Sequence, residues 1–419
     1  MTHRLLFVAA AVAALSAGGA DWLRFRGPNG SGTSSDTGLP TTWSATENIV
    51  WRTKLPGPGT SSPIVVGKRV YLTCYSGYGL EPGEGDMNQL MRHLVCIDRN
   101  TGAIRWTRDF KPVLPESKYT KGNDSQHGYS SSTPASDGQH LFVFFGKSGV
   151  YGLDMDGKEI WHADVGDHSS GWGSSNSPVL YQDLVIINAS VESGSLVALD
   201  KKTGREVWRT KGIGASWNTP VLVKVPGGGT ELVLSESKAV IGFDPMSGKE
   251  LWRVGGFGGY VCPSVVAHEG VVYVVRRGSK TGGALAIKAG GRGEVSDSHV
   301  LWRAKGDSLV PSPVYYKGRL YWAGGTATCL DAATGKEVFH GRLSGNPNFY
   351  ASALAADGKI YCVSRFTGTN VIAADPPFKE LARNQFEDDK SRTNASPIVN
   401  GGCLLLRTDQ YLYCIGKKS

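Results

Sequence analysis

A short unit recurs along this chain, and a chain that repeats one supersecondary unit must stack or close its copies before any of them can bury an apolar face. The clearest copy is Ser195 to Trp208: an apolar run from Leu196 to Leu199, a turn from Asp200 to Gly204, then Val207 and Trp208. The run reads as a short buried strand. In the turn, Asp accepts nearby backbone N–H groups and Gly supplies a positive φ. Related units run from Cys96 to Trp106, Gly242 to Trp252 and Cys329 to Phe339, and shorter or longer versions end at Trp161 and Trp302.

A second signal sets the count. A small or hydroxyl residue beside Pro, followed by two apolar strands, occurs at Ser62-Pro63, Thr133-Pro134, Ser177-Pro178, Thr219-Pro220, Cys262-Pro263, Ser312-Pro313, Ser352-Ala353 and Ser396-Pro397. The spacings are 71, 44, 42, 43, 50, 40 and 44 residues, against about 40–45 for a four-stranded propeller blade. The long first interval holds an insertion, Ser76 to His93, and a long connection, Lys111 to Tyr129. The last unit ends after its third strand, Leu412 to Ile415, whereas Asn48 to Arg52 resembles an outer strand with no inner strands before it. Pairing the two would close the ring and remove exposed sheet edges. The expectation is an all-β, eight-bladed β-propeller of four-stranded antiparallel blades over 48–416. Residues 21–47 would be an extension packed on the surface through Trp22 and Phe25, and 417–419 a basic tail.

Residues 1–20, with Arg4, an apolar run from Leu5 to Leu15 and small residues up to Ala20, read as a signal peptide cleaved near Ala20. The run is too short to span a bilayer, and no transmembrane segment follows. A periplasmic or secreted, soluble monomer is expected. Net charge is +8, but no Lys/Arg block of the kind that tracks a phosphate backbone is present, so no nucleic-acid partner is expected. The seven cysteines are odd in number, so at least one is unpaired within the monomer. Cys403 with Cys414, and Cys74 with Cys96, lie on neighbouring strands. No Cys-x-x-Cys or Cys/His cluster indicates a metal site.

The Trp set (Trp51, Trp106, Trp161, Trp208, Trp252, Trp302) belongs to outer strands, where indoles pack between blades. Ligand chemistry is better sought over the central channel. Three residues before each recurring Pro or its equivalent stand Thr60, Ser131, Ser175, Trp217, Tyr260, Val310, Tyr350 and Asn394. With His127, Tyr129, Trp172, Asn176, Asn218, Phe349 and Arg392 they make a polar, aromatic funnel mouth. Loops between second and third strands add Lys147, Glu192, Lys238, Arg276, Arg277, Lys280, Arg365 and Arg407. Cations outnumber acids there, so the funnel face should favour an anionic small molecule or an acidic protein segment.

Repeated Asp-x-x-Thr-Gly-x-x-x-Trp units in an eight-bladed count resemble the pyrroloquinoline quinone (PQQ) repeat family. That family includes quinoprotein alcohol dehydrogenases and the propeller scaffold subunit of the outer-membrane β-barrel assembly machine. The opening Trp22 to Gly30 with Ser61-Ser62-Pro63 is similar to secreted PQQ-like proteins. The resemblance implies either a ligand- or protein-binding scaffold with no cofactor and no catalytic residue, or a PQQ- and Ca²⁺-dependent oxidoreductase. In the second case Glu192 stands near where the family places a metal-ligating Glu, but the intervening loop is short, and convincing Asn and Asp partners and the adjacent Cys pair of the alcohol dehydrogenases are missing. A third reading is recognition of a carbohydrate or other small molecule by Trp172, Trp217, Tyr260 and Tyr350.

Overall fold

The computed structural model describes residues 21–28, 30–81, 84–118, 127–277 and 283–417. The expected signal peptide, most of the Tyr119 to Tyr129 connection, Lys280 and the last two residues of the tail lie outside the described residues. Eight sheets form eight blades, each running outward from a short first strand at the centre. Blade 1 is Ile64–Val66, Arg69–Ser76, Met91–Asp98 and Ile104–Phe110. Blades 2 to 7 follow the same order. In blade 8 the strands Ile398–Asn400, Cys403–Arg407 and Tyr411–Ile415 are completed by Ile49–Lys54, which pairs antiparallel to Tyr411–Ile415 with Arg52 opposite Tyr413.

Two sets of contacts hold neighbouring blades. At the centre, the backbone N–H just ahead of each first strand donates to a hydroxyl of the following blade. Ser62 donates to Thr133, Thr133 to Ser177, Ser177 to Thr219, Thr219 to Ser264, Ser264 to Ser312, Ser312 to Ser352, Ser352 to Ser396 and Ser396 back to Ser62, all at 2.9–3.1 Å. The ring corrects the register read from sequence in blade 5. Its hydroxyl is Ser264, after Pro263, and not the residue before that proline.

At the rim, four indoles donate to a carbonyl in the Asp-to-Gly turn of the next blade. Trp161 donates to the Lys201 carbonyl at 2.8 Å, Trp208 to Pro245 at 3.2 Å, Trp302 to Ala332 at 2.9 Å and Trp51 to Arg99 at 3.1 Å. The turns are shaped by their Asp: Asp200 Oδ1 accepts the Thr203 N–H at 2.8 Å and its hydroxyl at 2.7 Å. Gly204 has φ +71°, and a Cβ there would come within 2.5 Å of the Trp161 ring. The glycine is therefore required twice, by backbone conformation and by the indole pressed on it.

The blades pack face to face through β-branched and aromatic side chains, as where Phe142 and Phe144 of blade 2 meet Val185, Ile187, Val197 and Leu199 of blade 3. All seven cysteines are free thiols. Cys74 lies opposite His93 and Cys96 opposite Tyr71, so those two thiols sit at different levels of one ladder.

The segment 21–47 runs across one face of the propeller. Trp22 pairs with Val65 of blade 1, Leu23 accepts the Ser136 N–H of blade 2, and the chain then crosses the axis to bond Ala355 of blade 7 through Gly32 and Ser34. It leaves along blades 7 and 8, where the Trp43 N–H is received by Asn384 and the indole packs on Tyr361. Backbone polar groups of an irregular segment can lie over a channel mouth only if bonded in this way.

Replacing Gly204 by Ala should cost about 3 kcal/mol, from the left-handed backbone together with the clash on Trp161. Gly138 has φ +90° with nothing near its Cβ position, so Gly138→Ala should cost only about 1 kcal/mol. Urea denaturation measures both. Equal losses would mean that the indole contact contributes nothing.

Candidate functional site

Side chains two residues apart on an extended segment face the same way. The residue two before each ring hydroxyl therefore points, like the hydroxyl, at the axis. In chain order these are Thr60, Ser131, Ser175, Trp217, Cys262, Val310, Tyr350 and Asn394, and all eight line a cavity of about 380 Å³ on the axis. Six ring hydroxyls lie in its deeper wall, and His127, Trp172, Tyr260, Arg277 and Leu309 complete its upper part. Phe25, from the segment crossing the far mouth, also lines it. The channel is thus a cup with an aromatic mouth, a hydroxyl wall and a phenyl ring at its closed end.

Of the residues singled out from sequence, Thr60, His127, Ser131, Trp172, Ser175, Trp217, Tyr260, Arg277, Val310, Tyr350 and Asn394 meet in this cup. Tyr260 belongs to a higher level than the counting assigned, since Cys262 takes that tier. It is 65% exposed and leans on Trp217, ring centres 6.1 Å apart. The Trp217 indole N–H donates to the Gly173 carbonyl at 2.8 Å, fixing the ring. His127 bonds Ser131 Oγ through Nδ1 at 3.2 Å, and its shielded Nε2 has no protein partner. Burial pushes the imidazole down to about 4, helped by the positive field of Arg392 and Arg365, so it is neutral at pH 7.

The other named residues are placed elsewhere. Arg365 is buried, bonds Asn394 Oδ1 at 3.0 Å and stacks 4.0 Å from the Tyr350 ring, so it props two cup residues from behind. Arg392 is ion-paired with Asp409 at 3.0 Å. Arg276 is buried, donates to the Glu236 and Ser237 carbonyls and lies over Phe257. Lys147 donates to the Pro115 carbonyl. Tyr129 joins Tyr75, Tyr78 and Leu90 in a small core under the blade 1 insertion. Asn218 bonds the Ser235 carbonyl at 2.6 Å, and Asn176 is fully buried with both amide atoms unmatched. Phe25 and Leu309 are cup residues that the sequence reading did not place there. In the sequence Phe25 stood out only as an aromatic anchor of the extension, with Trp22.

Glu192 lies outside the cup, fully buried in the turn Ser190–Ser193. Ser174 Oγ donates to its Oε1, while Oε2 has no partner. Burial pushes its carboxyl up to about 7 against the lowering effect of the Ser174 bond. Among the described residues no group of three or more His, Cys, Asp or Glu side chains converges as a metal site would require.

A closed ring of eight four-stranded blades around such a cup defines an eight-bladed β-propeller. A family model described as outer membrane protein assembly factor BamB matches residues 90–253 and 192–296, and the chain belongs to the PQQ-like β-propeller family. No curated protein matches the sequence. Among solved structures, a quinohemoprotein alcohol dehydrogenase from Pseudomonas putida HK5 aligns at TM-score 0.65 and 12% identity, over 95% of this chain and 81% of its own. The computationally designed Ika8 protein aligns at 0.58 and 13%, over 86% and 98%. BamB from Moraxella catarrhalis aligns at 0.46 and 17%, over 75% and 96%. At these identities the dehydrogenase and Ika8 share the fold alone.

The carboxyl of Glu192 titrates higher in the folded chain than in an unfolded one, so its ionisation destabilises the fold. Stability should fall as pH rises from about 4.5 to about 7 and then level off. His127, held below its usual value, works in the opposite direction below pH 6.5. Glu192→Gln removes only the first effect, and should be more stable than the parent by about 3 kcal/mol at pH 8 and by little at pH 4. Melting curves of both proteins across this range give the difference directly, and a pH-independent difference would rule out the raised carboxyl.

Proposed function

We propose that this PQQ-like propeller is an exported binding scaffold, taking a planar or apolar group from a small molecule or from an inserted segment of a partner protein into its axial cup. The cup carries the reading. Its volume of about 380 Å³ falls within the roughly 300–1,000 Å³ of ligand sites, and aromatic walls with few polar groups are the usual composition of such sites. A water-filled channel gives no reason for Trp172, Trp217, Tyr260 and Tyr350 around one mouth. Asn394 and the neutral His127 supply polar anchors, and the exposed Arg277 at the rim favours a ligand carrying an anionic group. The leader-like residues 1–20 support export, and no helix among the described residues is long and apolar enough to cross a membrane.

The donor set supports the scaffold over the oxidoreductase reading. A Ca²⁺ ion beneath a quinone needs six to eight oxygens at the ligand itself, whereas Glu192 faces Ser174 outside the cup and the cup walls contain no carboxylate. We therefore assign no cofactor and derive no redox step.

Two probes test this. The dye 1-anilinonaphthalene-8-sulfonate, planar and anionic, should bind saturably, and Trp217→Ala with Tyr350→Ala should weaken it at least about tenfold. Glu192→Gln should leave that affinity unchanged. A parallel titration with PQQ in the presence and absence of Ca²⁺ separates the readings: strict Ca²⁺ dependence abolished by Glu192→Gln would replace the scaffold with a quinoprotein. Dye binding indifferent to the aromatic substitutions would remove the cup from the proposal.

A further inference from the structure

The far end of the channel has a second, smaller chamber of about 10 Å³, lined among others by Arg24, Phe25, Arg26, Gly30, Thr219 and Ser264. Phe25, Thr219 and Ser264 also line the cup, so the two spaces lie back to back on the axis. The chain goes to some length to place a guanidinium here. Arg26 has φ +61°, a left-handed conformation unusual for a non-glycine residue. Its side chain is 2% exposed, and its Nη2 donates to the Ser31 and Pro313 carbonyls at 3.0 and 2.5 Å. Gly32 makes room for it, because a Cβ there would come within 2.7 Å of Nη2.

What Arg26 lacks is a counter-charge. Its Nε and Nη1 are buried with no partner, and no carboxylate among the described residues pairs with it. Arg24, beside it, has a single hydrogen bond among the described residues, from Nε to the Gly27 carbonyl at 3.4 Å. Burial pushes Arg26 down to about 9 and Arg24 to about 10, with no nearby acid to offset it. An isolated buried cation is among the most expensive groups a fold can contain, and such charges are met by a partner of opposite sign. The hydroxyls in the chamber wall are suited to help. Thr219 Oγ1 accepts from the Ser177 N–H and Ser264 Oγ from the Thr219 N–H. Among the described residues neither hydroxyl donates to a protein group, so each proton is available to a ligand.

We infer that the closed end of the channel is a binding site for a halide-sized inorganic anion, held by the Arg26 guanidinium with the Thr219 and Ser264 hydroxyls. Size sets the class. A chamber of this volume admits about one water-sized particle, so phosphate and carboxylate-bearing molecules are excluded, and a halide, a few tenths of an ångström larger in radius than water, enters if the Arg26 side chain gives by that much. The site is separate from the cup and stands whether or not the cup takes an organic ligand. It also gives the Trp22 to Gly30 segment a role, since the Arg26 that it brings to the axis carries the charge that the anion neutralises.

Bromide is the probe. Crystals of the unmodified protein soaked in sodium bromide should show an anomalous peak in the chamber, within hydrogen-bonding distance of Arg26. In solution, melting at constant ionic strength should be about 2 °C higher in chloride than in gluconate. Arg26→Met should abolish the difference and Ser264→Ala should reduce it. Bromide at surface sites only, with the chamber holding water, overturns the inference. So does a chloride effect of the same size in Arg26→Met. Should that variant fail to fold, the bromide experiment on the unmodified protein decides alone.

Discussion

The ring of eight amide-to-hydroxyl bonds at the centre is the constraint from which the rest of the architecture follows. The first strand of each blade is the inner edge of its sheet, and the N–H group just ahead of it points across a narrow gap toward the next blade, with no strand there to receive it. Left unpaired and buried, each would cost about 1–3 kcal/mol. A Ser or Thr hydroxyl is short enough to accept it without pushing the blades apart. Because every blade both donates and accepts, the chain of bonds has one direction and closes only when the last blade reaches the first, through Ser396 and Ser62. The ring therefore sets the channel radius, and it aims the residues two positions earlier at the axis. The cup is a consequence of how the centre is satisfied.

The rim contacts fix the same blades at a larger radius, and the exception among them shows what they do. Blade 5 has no Asp-to-Gly turn of the repeated kind to receive the blade 4 indole. Trp252 is instead fully buried, donating to Glu231 at 2.7 Å. The longer connection Ala289 to Val295 folds back over it, with Gly290 N–H and Arg292 both bonded to the same carboxylate. Gly293–Glu294 then adds a short parallel strand beside Trp252 and Arg253. A different local sequence thus meets the same need, shielding the indole at this blade boundary.

This contrast explains how much could be read from the amino acids. Blade number and strand order were legible because the Ser-Pro and Asp-to-Gly signals are local and recur. Blade 5 was read two residues out because Pro263 precedes its hydroxyl, which moved Tyr260 into a tier that Cys262 occupies. The fate of the charges was hidden for another reason. Arg276, Arg365 and Arg392 all lie in loops on the cup side, but a long flexible side chain is committed by tertiary neighbours: two carbonyls, an asparagine and an aspartate respectively. Counting cations on that face therefore overstated its positive character. Phe25 was hidden because an irregular segment carries no period from which its path can be traced.

That path makes the two ends of the channel unlike. On one side the loops leading into the first strands leave an aromatic mouth open to solvent. On the other, residues 22–34 are bonded to blades 1, 2, 6 and 7 and lie across the axis like a strap over the first and last thirds of the ring. A strap anchored by backbone bonds on both sides of the axis cannot swing aside without giving up several of them. The same strap holds the segment next to Asp21 on the far face, where the Asp21 carboxylate accepts the Gly67 N–H in the first hairpin of blade 1. The open mouth therefore lies on the face opposite the strap.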